Sequence, residues 1–246
     1  MIPKIIHYCW LSGDPIPAKF QKCMDSWKKF LPDYEFMLWD LNRFDINQTQ
    51  WVKQAFVSKK YAFAADYIRL YAVYTYGGIY LDMDVEVIRN LNELLMHPYL
   101  LGMESKESIE AGVFGATLHN EYIKMCLEYY ENRSFIKVDG SYDMLPLPRI
   151  MYKVLNEHYT VKDRKAISIE ESSDMVSLFP LEYLTAKSHR TGELMITHNT
   201  YTIHHFAGSW VPKSYILKKR IYQLISRNKI MFWIYKNTYG KLKKQR

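Results

Sequence analysis

The run SKKYAFAADYIRLYAVYTYGGIYLDMDVEV, residues 58–87, constrains the fold more than any other part of the chain. From Ser58 to Tyr76 it is rich in alanine, leucine and aromatic residues, the pattern of a mostly buried helix. Gly77-Gly78 then supplies the left-handed backbone that commonly ends one. Ile79 to Leu81 resumes an extended apolar run, so helix and strand follow each other almost without a connection. Such a unit needs a sheet to hold the strand and a layer to cover the helix.

The flanks supply both. Lys4–Trp10 has strand character and ends in Leu-Ser-Gly-Asp-Pro, a cluster of turn formers. A helix follows over Pro17–Phe30, with Phe20, Met24 and Trp27 at helical spacing, and Tyr34–Leu41 reads as a second strand. Further strands are expected over Tyr99–Met103, Gly112–Thr117 and Thr200–His205, and helices over Glu121–Tyr130 and after Pro212. This order predicts an α/β fold, with an irregular stretch over residues 132–195.

At 246 residues and 48% hydrophobic content the chain can bury a sizeable core as one domain. Its net charge of +7 suggests a polyanionic partner until the charge is located. Eleven of the 33 Lys and Arg lie between Lys213 and Arg246, where there is no acidic residue, so the body carries 22 basic against 26 acidic groups. A nucleic-acid-binding body is not expected. Cys9, Cys23 and Cys126 form no C-x-x-C pair, which predicts neither a zinc site nor a redox motif and fits a reducing compartment. The start, MIPKIIHYCWLSGD, lacks a basic leader and a small-residue cleavage site and reads as a first strand, and no apolar run is long enough for a membrane span.

Asp82 and Asp84 follow the strand at its carboxyl end, where open α/β sheets place ligands. If the strand continues through them, both project to one side and Met83 to the other. Two carboxylates held together need water or a cation, and a hard divalent ion such as Mg²⁺ or Mn²⁺ suits them. Asp66 and Arg69, at i and i+3, share one helix face amid apolar residues, where the arginine wants a carboxylate or a phosphate. His204 and His205 precede a turn, and on a strand they face opposite ways, so one at most points into a given site. An imidazole mixed with carboxylates favours Mn²⁺ over Ca²⁺. Ser209 and Trp210 offer a hydroxyl and an indole N–H to a phosphate, or simply pack, and Trp10 offers a ring to a nucleobase or to the core.

Taken together, AFAADYIRLYAVYTYGGIYLDMDVEV, IPKIIHYCW and HHFAGSW resemble glycosyltransferase family 32, the DXD sugar-binding glycosyltransferases. That family includes capsular and lipopolysaccharide sugar transferases and is related to the catalytic domains of clostridial glucosylating toxins. The resemblance implies a GT-A fold, a Rossmann-like mixed sheet flanked by helices, over residues 1–210. Within it, 1–112 would be the nucleotide-sugar half and 113–210 the acceptor half and metal-site closure, with 211–246 a basic amphipathic helical tail. It implies Mn²⁺ or Mg²⁺, a nucleoside diphosphate sugar donor, UDP-linked ahead of GDP-mannose, and retaining transfer of a hexose to a glycan or lipid-linked oligosaccharide acceptor in surface polysaccharide synthesis. Carried over by position, Asp66, Arg69 and Asp82 contact the donor, with Tyr80 beside them, and Asp84 ligates the metal with Asp82. His204 or His205 completes the shell, Ser209 and Trp210 close on the diphosphate, and His7 and Trp10 face the base. Asp143–Pro146 (DMLP) stands where many relatives carry T-G-P.

Two other classes compete with this reading. DMDVEV superficially matches the D-x-D-x-[TV] nucleophile of haloacid-dehalogenase-type phosphatases, yet Glu86 occupies the Thr/Val position and the motif lies far from the first strand. The alternative is an inactive transferase-like scaffold. For the tail, residues 213–246, two readings stand: an interfacial helix on an anionic membrane, placing the enzyme on the inner face of the cytoplasmic membrane, or a helix docked on a cytoplasmic body.

Overall fold

The computed structural model describes residues 1–163, 175–208, 213–228, 230–233, 235 and 237. Apolar alternation builds the strands and apolar spacing the helices. In the first half, β1 (Ile5–Cys9), α1 (Ala18–Phe30) and β2 (Glu35–Trp39) are followed by α2 (Gln50–Val57) and α3 (Tyr61–Tyr76). Next come β3 (Gly78–Leu81) and β4 (Val85–Val87). Then follow β5 (Tyr99–Leu100), β6 (Met103–Ser105), β7 (Ser108–Ile109), β8 (Val113–Ala116), α4 (Glu121–Glu128) and α5 (Leu147–His158). The described chain continues with β9 (Thr160–Asp163), β10 (Met175–Leu178), α6 (Leu181–Leu184), β11 (Thr202–His204) and α7 (Lys213–Arg227).

The main sheet has the order β2-β1-β3-β8-β5. Its first three strands are parallel, and β8 runs antiparallel to both β3 and β5. This is the mixed sheet flanked by helices that the resemblance implies. Because β8 sits between β3 and β5, the sheet runs across residue 112. The boundary expected at 210/211 lies outside the described residues.

Two apolar layers cover the sheet. Ile79 and Leu81 of β3 pack with Phe20 and Trp27 of α1, whereas Tyr80 packs on the opposite face with Phe63, Ile68 and Val73 of α3. That alternation is what a two-sided strand requires. Burying a side chain such as Phe63 or Ile68 contributes roughly 1.5–3 kcal/mol. Trp27, Trp39 and Trp51 are almost fully enclosed, and each indole N–H has an acceptor: Val85 O, His7 Nδ1 and Phe63 O.

The two glycines between α3 and β3 are required twice over. Gly77 (φ +64°) and Gly78 (φ +100°) adopt left-handed backbone, and a Cβ on Gly78 would stand 2.7 Å from Ile5 O. A side chain here would pry β3 from β1.

The sequence reading differs from the structure at the D-x-D itself. The strand does not run through it: Asp82–Asp84 forms a turn closed by Val85 N–H donating to Asp82 O at 2.9 Å. The chain leaves the main sheet at β3 and enters β4, which pairs antiparallel with β11. Helix α1 holds this exit in place, since Trp27 Nε1–H donates to Val85 O and Ser26 Oγ accepts from Val87 N–H. Met83 still points into the core beneath the turn. The irregular middle third contains α5, β9, β10 and α6, and α2 was also unforeseen.

Candidate active site

The site is built where β3, β4 and β11 converge. Alternation along β3 puts Tyr80 on the face of α3, and Asp82 follows on the same side. Tyr80 Oη donates to Asp82 Oδ1 at 2.8 Å, and the Arg69 guanidinium lies 4.7 Å above the Tyr80 ring. Arg69 is buried and fully engaged. It donates to Ala111 O at 2.8 Å, pairs with Asp66 Oδ1 at 3.2 Å and lies 3.4 Å from Asp82 Oδ1. Burial lifts the Asp66 carboxyl to about 6 despite Arg69, and Asp66 also accepts from Leu147 N–H at the N-terminus of α5. The expected partnership of Asp66 and Arg69 is therefore an internal ion pair that reaches Asp82.

Asp84 stands on the other side of the turn. Its Oδ2 accepts from Ala207 N–H at 2.6 Å, while Oδ1 lies 3.4 Å from His204 Nε2. Pairing β4 with β11 sets Val85 opposite His204 and so brings the histidine to the D-x-D. His204 Nε2 is also 4.0 Å from Asp82 Oδ2. One atom from each of Asp82, Asp84 and His204 falls within a 4.8 Å group. This is the only such three-residue group among the described residues.

Of the two adjacent histidines, only His204 joins it. His205 turns away to Glu86, with Nε2 2.9 Å from Oε2. The pairing of β11 with β4 ends at His204, and that histidine, not His205, stands beside the D-x-D.

Behind His204 stands Glu110, which the sequence reading did not single out. Its Oε1 is 2.9 Å from His204 Nδ1 and accepts from Gly112 N–H, and Oε2 accepts from Thr185 Oγ1–H at 2.7 Å. Glu110 and Asp84 flank the imidazole and hold its pKa well above the usual value, so the metal-free ring carries a proton. Its one sequence signal is a lone carboxylate entering an apolar strand, in IEAGVFGA.

A carboxylate behind one ring nitrogen, with the other facing two carboxylates, is the arrangement that orients a histidine toward a metal. The donor set of two carboxylate oxygens and one imidazole suits Mn²⁺ or Mg²⁺. The residues fit the cation that the motif implies.

Two clefts flank the turn at residues 205–207. One, of about 580 Å³, is lined by Phe20, Lys22, Asp84, Glu86 and His205 among others. The other, about 230 Å³, is lined by Lys187, His189, Lys219 and Arg220 together with Phe206. The second cleft is basic, and the Lys219 ammonium lies close enough to Asp84 and Glu104 to feel both carboxylates.

His7 is elsewhere. It is completely buried, with Nε2–H donating to Gly77 O and Nδ1 accepting from Trp39, and burial lowers its pKa to about 4. Both ring nitrogens are engaged within the core, so His7 braces the β1–β3 junction instead of facing a base. Trp10 is half-buried at the carboxyl end of β1, edge-on to Phe20 of the larger cleft. Ser209 and Trp210 lie outside the described residues.

Residues 17–101 match the family model described as a glycosyltransferase sugar-binding region containing a DXD motif. The chain carries the sugar-binding region of the DXD glycosyltransferases. That stretch includes Asp66, Arg69, Tyr80, Asp82 and Asp84, whereas His204 and Glu110 lie beyond it. Among curated relatives, an inositol phosphoceramide mannosyltransferase 3 of Schizosaccharomyces pombe is 36% identical over 118 residues, 46% of this chain and 33% of that protein. A mannosyl phosphorylinositol ceramide synthase of Saccharomyces cerevisiae is 33% identical over 147 residues, 55% of this chain and 38% of that protein. The matched stretch thus spans a third to two-fifths of these relatives. A solved galactosyltransferase, LgtC in complex with donor and acceptor sugar analogs, aligns at a TM-score of 0.45 and 13% identity, covering 89% of this chain and 93% of that one. The two carboxylates of the matched motif have separate neighbours, Asp82 with Tyr80 and Arg69, Asp84 with His204 and Ala207.

Proposed function

We propose that this chain transfers a mannosyl residue, with retention of configuration, from a nucleoside diphosphate mannose to a hydroxyl of a lipid-linked or glycan acceptor. The observation that carries the reading is the Asp82–Asp84–His204 group standing beside the Arg69–Asp66 pair. The names of the relatives favour a mannosyl donor, which moves GDP-mannose ahead of the UDP-sugar expected from the resemblance, and they favour a phosphorylinositol-containing lipid acceptor.

In this reading Asp82, Asp84 and His204 would hold Mn²⁺ or Mg²⁺, which when bound offsets the charge growing on a diphosphate leaving group. The protein's own groups do the positioning. Arg69 holds Asp82 and is itself fixed by Asp66 and Ala111 O, so the Asp82 carboxylate would be oriented toward donor hydroxyls. Glu110 fixes the ring of His204, and Ala207 N–H fixes Asp84. Lys187 and Lys219 in the smaller cleft supply positive charge on the side of the turn where a diphosphate would emerge.

Nucleotide release across UDP- and GDP-sugars, with Mn²⁺, Mg²⁺ or chelator, tests the proposal. Turnover of GDP-mannose that is lost in chelator and in Asp84→Ala supports it. Preference for a UDP-sugar removes the mannosyl assignment, equal turnover in chelator removes the cation, and no turnover with any donor supports a scaffold role.

A further inference from the structure

Helix α7 leaves an aliphatic stripe exposed. Its half-buried residues are Lys219, Tyr222, Gln223, Ile225 and Ser226 among those whose burial is described, on the side toward the body. Tyr222 Oη accepts from Arg190 Nε–H at 2.9 Å, and the Lys219 ammonium sits over the Phe206 ring at 5.4 Å. Three aliphatic residues stand exposed on another face: Leu217, Ile221 and Leu224 are 60%, 49% and 66% exposed, at i, i+4 and i+7. A surface helix normally turns that stripe to the core. Past α7, Met231 and Trp233 are 50% and 68% exposed, extending the apolar surface.

We propose that this face docks on an anionic lipid surface. An exposed apolar stripe marks an interaction site. Its occupant follows from charge. Exposed Lys218 and Arg220 flank the stripe, and residues 213–246 hold eleven Lys and Arg with no acidic residue. A second copy presenting the same face would set like charges against each other, whereas anionic headgroups neutralise them while the aliphatic stripe and Trp233 enter the interface. No described helix is long and apolar enough to cross a membrane, so α7 lies along the surface. The same helix contributes Lys219 and Arg220 to the smaller cleft, which places that cleft next to the lipid face. The docking stands on α7 alone and does not depend on which sugar is transferred.

Co-sedimentation of the full chain tests this, using vesicles of phosphatidylcholine alone and of phosphatidylcholine mixed with phosphatidylglycerol. The expected result is binding to the anionic vesicles at least about tenfold tighter than to neutral ones, weakened by salt. Leu217→Glu/Leu224→Glu should weaken that binding by about tenfold or more with an unchanged melting temperature, because both side chains are exposed. No binding to anionic vesicles, or undiminished binding by the double variant, would overturn the proposal. So would a dimer in sedimentation velocity that the same substitutions dissociate, which would make the face a self-association surface.

Discussion

Glu110 Oε1 lies 2.9 Å from His204 Nδ1, and this pair aims the imidazole at the two aspartates before any ligand arrives. The carboxylate is itself held by Gly112 N–H and the Thr185 hydroxyl. Replacing it by an amide keeps the volume but removes the charge that supports the ring. Glu110→Gln should therefore lower Mn²⁺ affinity about 10–100-fold, measured by isothermal titration, with a matching rise in the metal needed for half-maximal turnover. An unchanged affinity would reduce Glu110 to a packing role.

The same pair makes metal binding depend on pH. Asp84 and Glu110 raise the pKa of His204 well above 6.5, so the metal-free site holds a proton that a cation must displace. One proton released per ion predicts that Mn²⁺ affinity rises about tenfold per pH unit from pH 6 to 7. For stability the sign follows from the direction of each shift. His204 is raised, so its contribution is complete below about 6.5 and is lost as pH climbs through the folded value; Asp84 and Glu110 are lowered, so theirs is lost in acid. Thermal melts in chelator should fall as pH climbs above about 7, and His204→Gln should make that alkaline decline shallower.

Asp66 and Arg69 show why a buried pair resists single substitution. Both are enclosed, and Arg69 also serves Ala111 O and Asp82. Arg69→Met strands Asp66 and should cost about 3–5 kcal/mol in urea denaturation. Asp66→Asn/Arg69→Met should cost less than the sum of the single changes, since neither charge is left alone. Strict additivity would mean that the two do not interact. Activity should stay lost in the double variant, because Asp82 loses its support.

The parts of this architecture that were legible in the sequence are those carried by continuous pattern. The helix over residues 58–76, its two glycines and the strand after them were read almost as they stand, since period and backbone chemistry agree there. The D-x-D was found at the end of its strand but its turn was not, because nothing local marks the change of sheet over residues 82–84. His204 could not be separated from His205 because the choice depends on the pairing of β11 with β4, two strands far apart in the chain. Glu110 was missed for the same reason: a buried carboxylate is visible only through its partners, and Thr185 and His204 are 75 and 94 residues away. His7 was assigned to the base by the resemblance alone, yet its partners, Trp39 and Gly77, lie within the core.

Gly112 offers the most local test of how little room the site allows. It has no positive φ, so its requirement is purely spatial: a Cβ there would stand 2.7 Å from His204 Cε1 and 2.9 Å from both His204 Nδ1 and Glu110 Oε1. The strand backbone is pinned, because Gly112 O accepts from Asp82 N–H at 2.8 Å, so the side chains must give way. Gly112→Ala should therefore displace the imidazole from Asp82 and Asp84 and weaken Mn²⁺ affinity by about tenfold or more, the scale on which disturbed outer support acts. Gly102→Ala is the comparison, since the nearest atoms to its Cβ all belong to the Leu184 side chain, the first at 2.9 Å. It should lower the melting temperature without changing metal affinity. A Gly112→Ala variant that binds Mn²⁺ as the wild type does would show that His204 has another place to go, and that the three-residue group is not the cation site.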